Sequence, residues 1–493
     1  MRYHSVGRVK AAAGAALAAL TIAGLAGCSS SDEKKPVASA TSSVATSASA
    51  TVPASASATV PASASATVPA SASATVAESP SPPAESAPPA EVKKATLKVV
   101  VPSLPSADEA FKDFNKTFEA AYPGVTVNFE AVPVTNYNTV KSARLLAGDV
   151  DIYSPSMGLE KPDYVPDGNE QDDAIFAKSG GLVDLTDSAA IANQFPGVTE
   201  ATQFGKRNYA VTMGVSYFTG VYYNKAMFKD KGLKIPTTWS EFVALGETLK
   251  AAGITPIGIG GLDGWPAGLP MQASVQGSYP TVETRKALAK GLWDQSVSLA
   301  DEKNVQVLDR MQKLFDFAQP NFTGEAYSAI PAGFVAGKFA MTPDGTWNAP
   351  AIAKADPSFE FGYFPLPTSE VAEENANLSG KIETQLAIPS KSENIDLAKQ
   401  YLDLLMEPKN YEMWVTASGY SSSEPDIATT PFLVSIQPYT KEFSLGWDQL
   451  WFGNAKSGPA ASIPFNHPAL KPFGKLSPKD AAAQAQADWK AGF

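Results

Sequence analysis

From Ser29 to about Lys94 the chain is built of Ala, Ser, Thr, Val and Pro with hardly a large side chain. Between Ser47 and Ala70 it spells Ser-Ala-Ser-Ala-Thr-Val-Pro-Ala three times, followed by a fourth, broken copy. Such a composition cannot bury enough apolar surface to offset the entropy of ordering it, so the tract is expected to be a disordered tether stiffened locally by proline. Its roughly 65 residues would span from about 45 Å as a flexible coil to about 200 Å as a polyproline helix. The repeat reads equally as a tuned spacer and as neutral drift. Any packed core must come from the residues after it, opening at Ala95. These still exceed the roughly 100 to 200 residues of one compact domain, so two lobes are expected. A hydrophobic share of 44% and an aromatic share of 10% suffice to fill them.

Ahead of the tether, Arg2, Arg8 and Lys10 form a basic head, and Ala11 to Gly27 is uncharged and apolar, the pattern of a secretory signal. It ends in Leu25-Ala26-Gly27-Cys28, which resembles the lipobox of bacterial lipoproteins. The resemblance implies that Cys28 carries a diacylglycerol and becomes the mature N-terminus. A plain secreted protein and a retained short anchor are the other readings. Cys28 is the only cysteine, so with it acylated no thiol is left for a disulfide, a thiolate nucleophile or a zinc site. With 39 Lys and Arg against 50 Asp and Glu, the net charge of −11 argues against a nucleic-acid partner. No later segment offers the roughly 20 consecutive apolar residues of a membrane span.

The folded part opens with Leu97, Val99 and Val101, read as a buried strand. A helix should follow, with Ser106 and Glu109 as a capping box, Phe111, Phe114 and Phe118 at helical spacing, and Pro123-Gly124 as its stop. Strands are expected at Val125 to Phe129 and Val150 to Tyr153, with a helix from about Tyr137 to Ala147 between them. The same grammar returns at Val221 to Tyr223, in a capping box of Thr238 and Glu241, in a strand at Ile254 to Ile259, and in another at Glu383 to Pro389. Helices are expected at Ile395 to Met406, stopped by Pro408, and at Pro478 to Lys490. Alternation of this kind predicts an α/β fold with mostly parallel sheets.

Five segments, taken in order, resemble the extracellular solute-binding proteins of ABC importers, in the sugar-binding family that includes maltose-binding protein. They are Ala147-Gly148-Asp149-Val150-Asp151-Ile152-Tyr153; Val221-Tyr222-Tyr223-Asn224-Lys225-Ala226-Met227-Phe228; Gly232 to Phe242; Phe334 to Met341 with Gly345-Thr346-Trp347; and Ile388 to Ser392 with Ala398 to Leu405. Val150 departs from the proline usual in the first. The resemblance implies a periplasmic-binding-protein-like fold with an interlobe ligand cleft, crossed by hinge strands near Met213 to Gly220, Ser379 to Gln385 and Ser421 to Pro431. It implies a signal over 1–27, a lipidated linker over 28–94, an N-terminal lobe from 95–215 with about 380–425, and a C-terminal lobe from 216–379 with about 426–493. It further implies a monomer without cofactor or metal, an ABC permease as partner, a sugar as ligand, and a place on the outer face of a bacterial, Gram-positive cell membrane.

A neutral sugar presents apolar C–H faces and a rim of hydroxyls, so its binder needs aromatic plates and polar groups. Trp265, between turn formers, and Trp347, beside Asp344, are the expected plates. Trp239 is expected to pack its helix start. Tyr217 lies six residues before Tyr223, where relatives often place a polar contact. Asp151 ends a strand and either faces the crevice or caps the next turn. Glu383 interrupts a hinge strand, so it either accepts hydroxyl bonds or pairs with a neighbour such as Lys381. Trp447 and Trp451 either supply a third plate or form one helix face. The expected ligand residues are therefore Trp265, Trp347, Tyr217, Glu383, Asp151, Asp344 and Trp447.

An enzyme is the chief alternative in kind. His4 lies in the signal, which leaves His467 alone, so neither a Ser-His-Asp triad nor a histidine metal cluster can be written. A glycosidase needs only two carboxylates and stays open. A binder of a polyamine, an iron complex or an organic anion is the other alternative. The Tyr222-Tyr223 pair suggests iron, but strand alternation sends the two rings to opposite faces.

Overall fold

The computed structural model describes residues 94–103, 105–166, 170–427, 429–462 and 464–493. The export segment, Cys28 and the octet repeats lie outside the described residues.

β1 (Ala95–Pro102), α1 (Pro105–Ala121), β2 (Val125–Val132), α2 (Val134–Ala147) and β3 (Ile152–Tyr153) build the first sheet and its covers. β1 is central and parallel to both neighbours, in register from Ala95 opposite Val125 to Pro102 opposite Val132. Alternation along β1 serves two faces. Leu97, Val99 and Val101 pack with Phe111, Phe114 and Phe118, while Val100 joins Tyr137 and Tyr153 on the other side. Both faces are thus buried, as parallel sheets require. The Ser106 side chain lies outside the described residues, and with it the expected Ser106–Glu109 capping box; the helix itself starts at Pro105. Proline at the first helical position is pre-set for that role.

β4 (Val211–Thr212) and β5 (Val215–Tyr217) lead towards a second sheet, in which β6 (Gly220–Asn224) lies between β7 (Met341–Asp344) and β8 (Phe361–Pro365). Both pairings are antiparallel, contrary to the expectation of mostly parallel sheets. Strand direction depends on the end of the sheet to which the connecting helices return, which a local pattern does not encode. α3 (Trp239–Ala251) has the expected capping box, with Thr238 Oγ1 accepting from Glu241 N and the Glu241 carboxylate accepting from Thr238 N. The strand expected at Ile254 to Ile259 is absent. Ile257 makes only single bridges to Ala318 and Met341, because Pro256 has no N–H to give a ladder.

β9 (Gly380–Ile382) and β10 (Gln385–Leu386) return across β5 and β4, with Tyr217 opposite Gly380, Ser216 opposite Lys381 and Thr212 opposite Gln385. Ser421 joins from the third stretch, exchanging backbone bonds of 2.9 and 3.0 Å with Val215. The three stretches expected to cross therefore pair with one another. α4 (Ile395–Leu405) follows, then α5 (Pro408–Ser418) and finally α6 (Pro478–Lys490). α4 ends before Pro408, as expected, and Pro408 also starts α5, since proline suits a first turn as well as it follows an end. No helix among the described residues is long and apolar enough to cross a membrane.

Candidate functional site

Three aromatic side chains from separate turns converge beside the end of β7. Gly345 lets the Trp347 ring fold back on its own backbone, for a Cβ there would lie 2.2 Å from the indole. Gly264 has a φ of 73°, a left-handed turn that suits glycine and delivers Trp265. Tyr327 comes from a short turn over Tyr327–Ala329. The rings of Trp265 and Tyr327 meet edge to face with centroids 4.5 Å apart, and those of Trp265 and Trp347 are 6.2 Å apart. All three rings are half-buried.

Behind them runs a polar relay. Trp347 Nε1 donates to Tyr327 Oη at 2.8 Å, and Tyr327 donates to Asp344 Oδ1 at 3.0 Å. Asp344 also accepts from Gly345 N at 2.7 Å and Asn348 Nδ2 at 2.6 Å. Burial pushes its carboxyl up to about 7, against the pull of these donors.

β9 supplies the next wall. Lys381 Nζ stands 5.2 Å from the Trp347 ring centroid and 3.1 Å from the Glu383 carboxylate. Residues two apart on an extended strand share a face, which places the ion pair on the indole side. Phe218 closes on Trp347 with centroids 6.2 Å apart. Tyr420, next to Ser421 on the third crossing stretch, is buried, which raises its phenol. The charges of Glu383 and, more weakly, Asp108 at the start of α1 add to the rise. The start of α1, β9 and the third stretch thus share one electrostatic neighbourhood with Lys381 and Trp347. An indole plate with a bonded N–H, a second indole at an angle to it, and a carboxylate–ammonium pair alongside suit a ligand with both flat apolar faces and hydroxyls.

The family model described as bacterial extracellular solute-binding protein matches residues 102–412. The chain belongs to that family. It is a family of receptors, not of enzymes. A relative of this solute-binding protein is the Multiple sugar-binding protein of Streptococcus mutans, 27% identical over 355 residues that cover 70% of this chain and 79% of the relative. A Probable sugar-binding periplasmic protein of Rhizobium meliloti is 28% identical over 231 residues, 45% of this chain and 50% of the relative. Among solved structures, RafE in complex with raffinose aligns with a TM-score of 0.62 at 20% identity, over 80% of this chain and 99% of the other. A chitin oligosaccharide binding protein aligns with a TM-score of 0.61 at 22% identity, over 81% and 99%. These likenesses establish a two-lobed α/β solute-binding fold.

Of the other expected ligand residues of this solute-binding protein, Asp344 backs the cluster, and Asp151, Trp447 and Tyr217 sit elsewhere. Asp151 is buried, its carboxylate accepting from Lys98 N at 2.8 Å and Ser392 Oγ at 2.6 Å, with Asn394 Nδ2 at 3.3 Å from both oxygens. It ties β1 to the approach of α4, a distant tie and not the cap to the next turn held open for it. Asp344 is 1% exposed and stands behind the indoles, bonded to Tyr327 and acted on by the Trp347 side chain, so it supports the plates from within the core. Trp447 is also 1% exposed and stacks on Phe452 at 4.7 Å, so it is core and not a plate. The helix face expected of Trp447 and Trp451 does not form, since only a short turn over Trp447–Gln449 exists. Trp451 instead donates Nε1 to Leu159 O at 2.9 Å. Tyr217 is 2% exposed, and its ring packs against Phe443, away from the indoles. Trp239 stacks on Phe242, as expected of a residue packing its helix. His467 is buried, and burial pushes its imidazole down to about 4. No group of three His, Cys, Asp or Glu among the described residues is placed to hold a metal ion. Sequence reasoning missed Tyr327, whose signal was an aromatic in a turn shortly after Gly324, and treated Lys381 only as a partner for Glu383.

Proposed function

We propose that this protein captures a mono- or oligosaccharide between its lobes and hands it to the membrane permease of an ABC importer. The observation that carries the reading is the cluster of Trp265, Tyr327 and Trp347 beside the Lys381–Glu383 pair: two indoles set to meet sugar faces, and charged groups set to meet hydroxyls. The relatives named for sugar binding support it. The lobes divide as read from the sequence, 95–215 with about 380–425 and 216–379 with about 426–493, and hinge at the crossing strands. Closure around the ligand presents the docking surface to the permease. A diacylglycerol on Cys28 holds the monomer at the outer face of a Gram-positive membrane, with the repeat tract as tether.

The test is calorimetry on the mature chain with raffinose, chitin oligosaccharides and common monosaccharides, run beside spermidine and ferric citrate. Saturable heat from a saccharide that falls in Trp347→Ala supports the proposal. A silent saccharide panel with a spermidine or ferric citrate response that Trp347→Ala abolishes replaces it, and release of reducing sugar from an oligosaccharide would mark a glycosidase. Fatty-acid labelling that persists in Cys28→Ser would remove the anchor.

A further inference from the structure

The crossing strands have two faces, and only one belongs to the indole cluster. Lys381 and Phe218 reach Trp347 from one side. Tyr217, adjacent to Phe218 on an extended chain, points to the opposite side, where a cavity of about 500 Å³ opens between the third crossing stretch and the segment after it. This volume lies within the range of small-molecule sites, about 300 to 1,000 Å³.

Three oxygen-bearing side chains line the cavity without partners among the described residues. Ser421 Oγ is buried and makes no hydrogen bond. Glu424 is 4% exposed; its backbone N–H donates to Ser422 Oγ, but its carboxylate has neither a hydrogen bond nor an ion pair. The Tyr217 hydroxyl likewise has no hydrogen-bond partner. Buried polar groups are nearly always bonded, so the sealed Ser421 Oγ is the exception on this wall, and the Glu424 carboxylate and Tyr217 hydroxyl beside it line the cavity without a partner among the described residues, which marks a place where a ligand completes the set. Phe195, Leu433 and Ile436 supply the apolar remainder.

Carboxylate, hydroxyl and phenol offer acceptors, and a primary ammonium offers three donors, no acceptor and the charge a buried carboxylate lacks. We propose that this cavity is a second binding site, taking a small alkylammonium whose charged end meets Glu424, Ser421 and Tyr217 and whose carbon chain lies against Leu433 and Ile436. The site shares no residue with the saccharide reading and stands independently of it.

The other charged or titratable groups around Glu424 are few. Asp426 and Lys441 line the cavity without an ion pair among the described residues. The Tyr411 hydroxyl, from α5, is engaged with Ser423 and Met213 O. Burial pushes the Glu424 carboxyl up to about 7. The anion that attracts an ammonium is therefore present at pH 8 and mostly lost at pH 5.5.

Calorimetry with butylammonium chloride, against butan-1-ol as the uncharged match, tests the site. Butylammonium should bind about tenfold or more tightly at pH 8 than at pH 5.5, in step with titration of one carboxyl. Glu424→Gln should weaken binding about tenfold and flatten that profile. Val434→Trp, at a rim position 52% exposed and tolerant of change, should block entry. If Glu424→Gln does not fold, the wild-type pH profile and Val434→Trp together decide. No saturable heat at pH 8, equal binding of butan-1-ol, or unchanged binding in Val434→Trp each overturns the proposal.

Discussion

The indole nitrogen of Trp347 donates to the phenol oxygen of Tyr327 at 2.8 Å, so the orientation of one aromatic is fixed by the other. Because Tyr327 passes its own proton towards Asp344, the plate is locked from a buried carboxylate outward. Tyr327→Phe keeps the ring and cuts both links. It should cost about 1 to 2 kcal/mol of stability, the scale of buried bonds left unmade. It should also weaken saccharide binding a few-fold and shift the tryptophan emission. Unchanged emission and affinity would show that the relay does not position the indole.

Trp347→Ala and Trp265→Ala each remove a surface for stacking and should weaken saccharide binding by about 1 to 3 kcal/mol. Melting temperatures should fall less than for a core tryptophan such as Trp447, since both rings are only half-buried. Calorimetry and thermal melts on the same preparations separate the two effects. Equal affinity in both variants would remove the stacking proposal.

The Lys381–Glu383 pair is mostly shielded, with side chains 20% and 13% exposed. Removing one charge from such a pair leaves the other uncompensated. Glu383→Gln should therefore destabilise the fold by about 1 to 3 kcal/mol, and Lys381→Met with Glu383→Gln should recover part of that loss. Chemical denaturation of the single and double variants measures the coupling, and strict additivity would mean that the pair contributes nothing.

Much of the scaffold was legible because local signals and tertiary demands agreed. Leu97, Val99 and Val101 alternate along β1 and all three are buried, and Thr238 and Glu241 announce α3 with a cap that the structure makes. Legibility failed where one local signal served two ends. Pro408 both follows α4 and opens α5, and the apolar residues of Ile254 to Ile259 are interrupted by Pro256, which withholds a ladder bond. In the site, Trp265 and Trp347 stood out because large aromatics beside turn formers have few other uses. Asp151, Trp447 and Tyr217 did not sort themselves, because which face a strand or turn presents is set by partners far away in sequence, such as Ser392 for Asp151, Phe452 for Trp447 and Phe443 for Tyr217.

Gly380 faces Tyr217 across the ribbon, and a Cβ on it would lie 2.1 Å from the Ser216 carbonyl oxygen. That contact is with backbone, so it cannot be relieved by a side-chain rotation. Gly380→Ala should push β9 away from β5 at a cost of about 1 to 3 kcal/mol, the range of overpacked positions. It should also loosen saccharide binding, because Lys381 is the next residue. Hydrogen exchange at the amides of Ser216 to Phe218 should rise in the variant. Wild-type protection there would mean that the ribbon absorbs the methyl group.

Asp344 gives a pH prediction whose sign follows from its burial. Its folded value of about 7 lies above the ordinary carboxylate value, so between about pH 4 and 7 the folded chain holds a proton that the unfolded chain has released. Stability from this group is therefore full below that window and declines as the pH rises through it, by up to about 1.4 kcal/mol per pH unit. Glu424, raised to about 7 by burial, adds a decline of the same sign. Asp344→Asn cannot titrate, so its melting temperature should fall less steeply from pH 5 to pH 8 than that of the wild type, while the Glu424 contribution persists in both. Parallel slopes in the two proteins would show that Asp344 ionises at the same pH folded and unfolded, its three donors having fully offset its burial.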